Sequence, residues 1–162
     1  MHRVWLSIGS NIDRNHNICS ALSALKNQFD ELVMSQVYES KAVGFDGDPF
    51  YNLVVGLWTN WPIKDLNHYV CEIEVKHGRV RGGNKFSSRA LDIDLLTYGD
   101  EVVIGEGVQV PRKEILEYAF VLLPLSEVAG MERHPMDGRT YRELWEAFES
   151  SDQPLWPVEL NV

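Results

Sequence analysis

The chain has 162 residues, 44% of them hydrophobic and 24% charged, the make-up of one ordinary globular domain that needs no disulfide or metal staple. Its formal charge of −9 excludes a nucleic-acid binder relying on a broad basic surface, and no apolar stretch is long enough to span a bilayer. The apolar run at the N-terminus is too short for a signal peptide, so a cytoplasmic protein is expected, and Cys19 and Cys71, with no CxxC or zinc-ligand spacing, read as two buried thiols.

Val4, Leu6 and Ile8 alternate as on a strand that ends at Gly9-Ser10-Asn11. Ile18, Leu22, Leu25 and Phe29 then recur at helical spacing and predict a helix from about Arg14 to Asn27. Two β-rich runs follow, Leu32 to Val43 and Phe50 to Trp58, parted by a loop whose Gly44, Gly47 and Pro49 forbid regular structure. Pro62 suits a first helical position, and Ile63, Leu66, Val70 and Ile73 mark a second helix reaching His77. A loop with Gly82-Gly83 leads to a strand over Ala90 to Tyr98, with Gly99-Asp100 as turn and Glu101 to Ile104 as a short return strand. The order β-α-β-β-α-β is that of the split βαβ fold, an α+β arrangement with an antiparallel sheet and both helices on one face. Extra C-terminal helices are expected near Glu114 to Ala129 and Thr140 to Ser150, packed around the sheet, with Trp145, Phe148 and Trp156 as core or interface residues. Residues 1–162 read as a single domain.

Residues i and i+2 of a strand share a face about 6.6 Å apart, so Asp92 and Asp94 point one way while Leu91, Ile93 and Leu95 point into the core. At an effective dielectric near 20 two such charges repel by about 2.5 kcal/mol, a cost that a hard divalent cation between them would offset. For an isolated D-x-D the commoner reading is a solvated strand face. The surroundings favour a phosphate site, because Lys76, Arg79, Arg81, Lys85 and Arg89 form a stretch of five cations with no acid just before the aspartates. Gly82 and Gly83 suit a lid over substrate or an ordinary flexible loop. Neither a P-loop nor a dinucleotide fingerprint is present, so a nucleotide must be held in some other way. Phe50 and Asn52, two apart on a strand, would stack on and read a flat heterocycle, or serve as a core aromatic and a cap.

Together these pieces resemble the 6-hydroxymethyl-7,8-dihydropterin pyrophosphokinase family. The resemblance is carried by Ile8-Gly9-Ser10-Asn11, Val43-Gly44 followed by Phe50-Tyr51-Asn52, Gly78-Arg79-Val80-Arg81, Arg89-Ala90-Leu91-Asp92-Ile93-Asp94, Val110-Pro111, Phe120-Val121-Leu122 and Pro124-Leu125. It spans about residues 4–129 and implies a ferredoxin-like α+β fold. It also implies transfer of the diphosphate of ATP to the hydroxymethyl group of a reduced pterin, giving AMP, in folate biosynthesis. By this resemblance Asp92 and Asp94 hold two Mg²⁺ ions on the ATP phosphates, with Arg79 and Arg89 as further catalytic residues. Glu74, Arg79, Arg81, Lys85, Arg89 and Arg112 would line the nucleotide side. Val43, Gly44, Phe50, Asn52, Phe86 and Phe120 would form the pterin side. The expected partners are these two small molecules only, with no nucleic acid and no membrane, and the expected state is a monomer. Asp94 is the candidate for a general base, if one acts at all.

The chain departs from the family pattern at five places. Phe86 replaces the usual tryptophan of the basic loop, Ser87-Ser88 replaces a small-Pro pair, Cys71 stands where the family often has an amide, Arg112 replaces a histidine and Tyr118 replaces an arginine. The last two motivate a second reading, a pterin-binding paralogue of weak or no activity.

Overall fold

The computed structural model describes residues 1–42, 47–78, 90–105 and 107–160. Its strands are β1 (His2–Ser10), β2 (Val33–Met34), β3 (Val37–Ser40), β4 (Phe50–Thr59), β5 (Asp92–Tyr98), β6 (Val103–Gly105), β7 (Val108–Val110) and β8 (Leu155–Val158). Its α-helices are α1 (Arg14–Phe29), α2 (Ile63–Lys76), α3 (Ala119–Ala129) and α4 (Tyr141–Ala147), and a short 3₁₀ turn spans Lys113–Leu116. The main sheet runs β5-β1-β4-β3-β8 with β2 also on β4, and every pairing in it is antiparallel. In chain order the elements β1-α1-β2/β3-β4-α2-β5 give the expected βαββαβ core, with β1 and β4 central.

Alternation along the strands feeds two cores. One face of the sheet, with Val4, Leu6, Ile8, Leu53, Val55, Leu57, Ile93 and Leu95, packs on Ile18, Ala21 and Leu25 of α1 and Leu66, Val70 and Ile73 of α2. The other face, with Trp5, Val54 and Leu96, packs on Ile115, on Val121, Leu122 and Leu125 of α3, and on Tyr141 and Leu144 of α4. The C-terminal helices therefore cover the second face of a sheet whose first face is covered by the crossover helices. Among the described residues no helix is long and apolar enough to cross a membrane.

Four details differ from the sequence reading. The run from Leu32 splits into two short strands, and between them the Ser35 hydroxyl accepts from Val54 N at 2.9 Å. The return strand after Gly99 pairs not with β5 but with β7, because Gly105 and Gly107, at φ 145° and 81°, turn the chain into a local hairpin. The segment from Glu114 breaks into the 3₁₀ turn and α3, and β8 adds an edge strand against β3, where Pro157 is tolerated because an edge position need not donate. Cys71 is exposed and Cys19 partly so, hence neither is a buried thiol.

Candidate active site

The registers of β5, β1, β4 and β3 set one row of residues side by side across the sheet: Asp92, Gly9, Asn52 and Tyr38. Directly opposed residues of antiparallel strands share a face, here the one carrying α3 and α4. Strands lie about 4.8 Å apart, so Asp92 and Asn52 are about 10 Å from each other with Gly9 between them. Gly9 is required by that row. A Cβ there would stand 2.4 Å from Asn52 Oδ1, so the bare glycine lets the Asn52 amide lie across β1 toward the aspartate. The sequence reading took Gly9 as a strand terminator; only the strand register reveals it as the floor of the site.

Asp92 and Asp94 open β5 on this face, half-buried, while Leu91, Ile93 and Leu95 are buried, as the alternation predicts. Burial, with Asp92 beside it, pushes the Asp94 carboxyl up to about 7, against the lowering pull of Arg112 and with smaller raising contributions from Glu74 and Glu114. Arg112 Nη2 lies 3.4 Å from Asp94 Oδ1, and Arg112 Nε is hydrogen-bonded to Glu114 Oε2. Its backbone N–H donates to Leu96 O at 2.9 Å, which pins the residue after the cis Val110–Pro111 peptide to β5. Glu74, 4% exposed, reaches from α2 to β5, where its Oε2 accepts from Ile93 N at 2.8 Å. That bond fixes the backbone between the two aspartates.

Phe50 begins β4 beside Asn52, on the same face, and Phe120 begins α3, which packs over that face. Tyr118 stacks on Phe120 with ring centroids 5.1 Å apart and planes 22° from parallel. The approach to β4 is tied down from α1 and the end of β1: Arg14 Nη1 donates to Pro49 O at 3.1 Å and to Glu39 Oε2 at 2.6 Å, and Asn11 Nδ2 donates to Asp48 O at 3.1 Å. A cavity of about 340 Å³ opens between Ser40–Ala42, Tyr118–Phe120 and Asp152–Leu155. Of the residues named from sequence, Val43, Gly44, Arg79, Arg81, Lys85, Phe86 and Arg89 lie outside the described residues. The structure brings Glu74, Asp92, Asp94 and Arg112 together at one end of the row and Asn52 with Phe50 at the other. Glu114, the buried partner of Arg112, was not foreseen; an acid three residues beyond the family's Val-Pro motif is its only signal.

Fold and site together define an α+β protein with a carboxylate pair at one end of a sheet and an aromatic and amide surface two strands away. Residues 5–130 match the family model described as 7,8-dihydro-6-hydroxymethylpterin-pyrophosphokinase (HPPK). The chain is 34% identical over 148 residues to the 2-amino-4-hydroxy-6-hydroxymethyldihydropteridine pyrophosphokinase of Pseudomonas aeruginosa, covering 89% of this chain and 90% of that protein. It is 32% identical over 158 residues to the folic acid synthesis protein fol1 of Pneumocystis carinii, where the match takes in 95% of this chain but only 21% of the relative. Among solved structures, wild-type Plasmodium falciparum HPPK-DHPS with pteroate shares the fold at a TM-score of 0.60 and 15% identity, over 90% of this chain and 42% of that one. The chain thus spans about a fifth of the longer fungal relative and nine-tenths of the bacterial one. The chain belongs to the HPPK family.

Proposed function

We propose that this protein transfers the diphosphate of ATP to the hydroxymethyl group of 6-hydroxymethyl-7,8-dihydropterin, giving AMP and the pterin diphosphate for folate biosynthesis. The observation that carries the reading is the cross-strand row, which sets Asp92 about 10 Å from Asn52, room for a ring at one end and a phosphate chain at the other. In this reading Asn52 hydrogen-bonds the edge of the pterin, Phe50 and Phe120 stack on its faces, and Val43, Gly44 and Phe86 complete the pocket. Arg79, Arg81, Lys85, Arg89 and Arg112 take the phosphates, the arginines through bidentate forks. Glu74 keeps the Asp92–Asp94 backbone in register through Ile93 N.

The donor set at the start of β5 fits Mg²⁺. It is two hard carboxylates on one face, and Asp94, raised to about 7 first by burial and then by Asp92 beside it, is a carboxyl whose charged form a divalent cation would favour. Mg²⁺ commonly takes one or two protein carboxylates and would complete its shell with water and substrate phosphate oxygens. When bound, Mg²⁺ supplies charge neutralisation of the phosphates and a lower pKa for the attacking hydroxyl. The protein's own part is positioning: sheet residues hold the pterin hydroxyl in line with the β-phosphorus while arginines balance charge on the diphosphate, as a loose phosphoryl-transfer transition state requires. One sheet with a core on each face supports a single domain, here read as acting as a monomer without nucleic acid or membrane.

The test is AMP formation from ATP. It should require both Mg²⁺ and the hydroxymethyl pterin, and Asp92→Ala should lower it by at least about 100-fold, the scale of removing a principal charge stabiliser. Pterin-dependent turnover untouched by Asp92→Ala refutes the proposal. The engagement of Arg112 by Asp94 and Glu114 favours the weak or inactive paralogue as second reading, and pterin binding with no Mg·ATP binding in calorimetry would select it.

A further inference from the structure

The C-terminal segment lies beyond residues 5–130, the span matched by the family model, yet it reaches back to the aromatic edge of the site. Its contact there is specific. Gln153 Oε1 accepts from Ala119 N at 2.8 Å, and Gln153 Nε2 donates to Glu117 O at 3.1 Å. One carboxamide therefore bridges the backbone on both sides of Tyr118, the residue that begins α3 and stacks on Phe120. Tyr118 itself has no side-chain cap to offer the helix, so the first amide of α3 is satisfied by Gln153 instead.

Gln153 is held in turn. Its backbone N–H donates to Ser150 O at 3.0 Å, and Pro154 follows it into β8. Two residues on, β8 pairs with β3, Leu155 opposite Ser40, and Ser40 is itself opposite Phe50. Trp156 Nε1 donates to Glu39 Oε1 at 2.8 Å, and Glu39 carries the Arg14 that ties Pro49 ahead of Phe50. The segment thus touches the supports of both aromatic residues assigned to the pterin, and with Ser40–Ala42 and Tyr118–Phe120 it lines the 340 Å³ cavity.

We infer that this C-terminal segment is a positioning element for the heterocycle site, in which Gln153 fixes the Tyr118–Phe120 pair against which a flat pterin ring stacks. The inference rests on the pterin reading above. Gln153 is a positioning residue: it acts through Tyr118 and Phe120 and touches neither the phosphates nor the carboxylate pair in the contacts described.

The experiment compares the full chain, Gln153→Ala and Gln153→Glu by calorimetry with 6-hydroxymethylpterin, by steady-state kinetics and by amide hydrogen exchange over residues 117–123. Losing a helix cap costs about 1 kcal/mol, or about fivefold in an equilibrium constant. Gln153→Ala should therefore raise the pterin Kd and KM by about fivefold, leave the KM for ATP and kcat within about twofold, and speed exchange at Ala119 and Phe120. Gln153→Glu keeps the acceptor for Ala119 N, with a negative charge at a helix N-terminus, but loses the donor to Glu117 O, so it should recover only part of the pterin affinity. A pterin Kd unchanged in Gln153→Ala, or an equal loss of ATP and pterin binding, overturns the inference while leaving the pterin reading standing. A wild-type chain that binds no pterin overturns the pterin reading and this inference with it.

Discussion

Gly9→Ala separates the site from the fold. Gly9 is not among the glycines with positive φ, so an alanine backbone is allowed there and loses less entropy on folding, an effect of about 0.4–1 kcal/mol in favour of the variant. The added Cβ, however, would stand 2.4 Å from Asn52 Oδ1, whereas ordinary contact begins at 3.4 Å, so the amide must withdraw by about 1 Å. The other near atoms, Asn52 Cγ at 3.4 Å and Tyr51 O at 3.6 Å, can stay in place. The strain therefore falls on one side chain. A hydrogen bond lost from a buried polar edge costs about 1–3 kcal/mol, which is about 5- to 150-fold in pterin Kd. At about 2–4 °C per kcal/mol for a chain of this length, the melting temperature should move by only a few degrees. Calorimetry with the pterin on wild type, Gly9→Ala, Asn52→Ala and the double variant gives the decisive number. Once Asn52 is truncated the alanine has nothing to displace, so Gly9→Ala should add almost nothing in that background. A pterin Kd unchanged in Gly9→Ala, or equal effects of Gly9→Ala with and without Asn52, refutes the reasoning.

Gly56→Ala should do the opposite and damage the fold. Its Cβ would meet the Trp5 ring at 2.3 Å, and that indole is 1% exposed and fastened by Nε1 to Glu132 Oε1 at 3.0 Å, so it has nowhere to go. Overpacking of about 1–3 kcal/mol predicts a melting temperature lower by about 2–12 °C, seen in a thermal scan. His134 should make stability depend on pH. Burial holds its pKa below the ordinary value, with Asp137 pulling the other way and the Tyr141 ring at 6.3 Å, while its Nδ1 accepts from the amides of Met136 and Asp137. As pH falls through about 6.5 the unfolded chain takes up the proton first, so this contribution is present above that pH and is lost below it. Urea midpoints at pH 7.5 and 5.5 should differ less in His134→Gln than in wild type.

What could be read from the sequence was local. The period-2 pattern of Leu91 to Leu95 sorted carboxylates from aliphatics, and Leu66, Val70 and Ile73 marked the buried stripe of α2, since each depends only on neighbours in the chain. What could not be read was set by pairing between distant segments. Gly9 looks like punctuation until its partners Asn52 and Asp92 are known, and the strand at Leu155 to Val158 forms only because β3 offers it an edge. Tyr118 is the sharpest case. As a residue type it looked like a lost cation, but in the fold it is a ring laid on Phe120 and bracketed by Gln153 from 35 positions along the chain, as the Ala119 bond at a separation of 34 records.

The same contrast orders the site by stiffness. Asp92, Gly9 and Asn52 belong to adjacent strands of one sheet, buried on both faces, and their spacing is fixed by backbone hydrogen bonds at about 4.8 Å per strand. A change at any of them alters the distance between the phosphate end and the ring end, and effective molarity is steeply sensitive to such a change. Phe120 has no strand partner. It stands in the first turn of α3, where backbone bonds through Tyr118 are joined by the Gln153 side chain at Ala119 N. On the proposed reading, the registers of the sheet set where a pterin would be read and where its hydroxymethyl group would meet phosphate, while the tail, through Gln153, sets how tightly the ring would be held there.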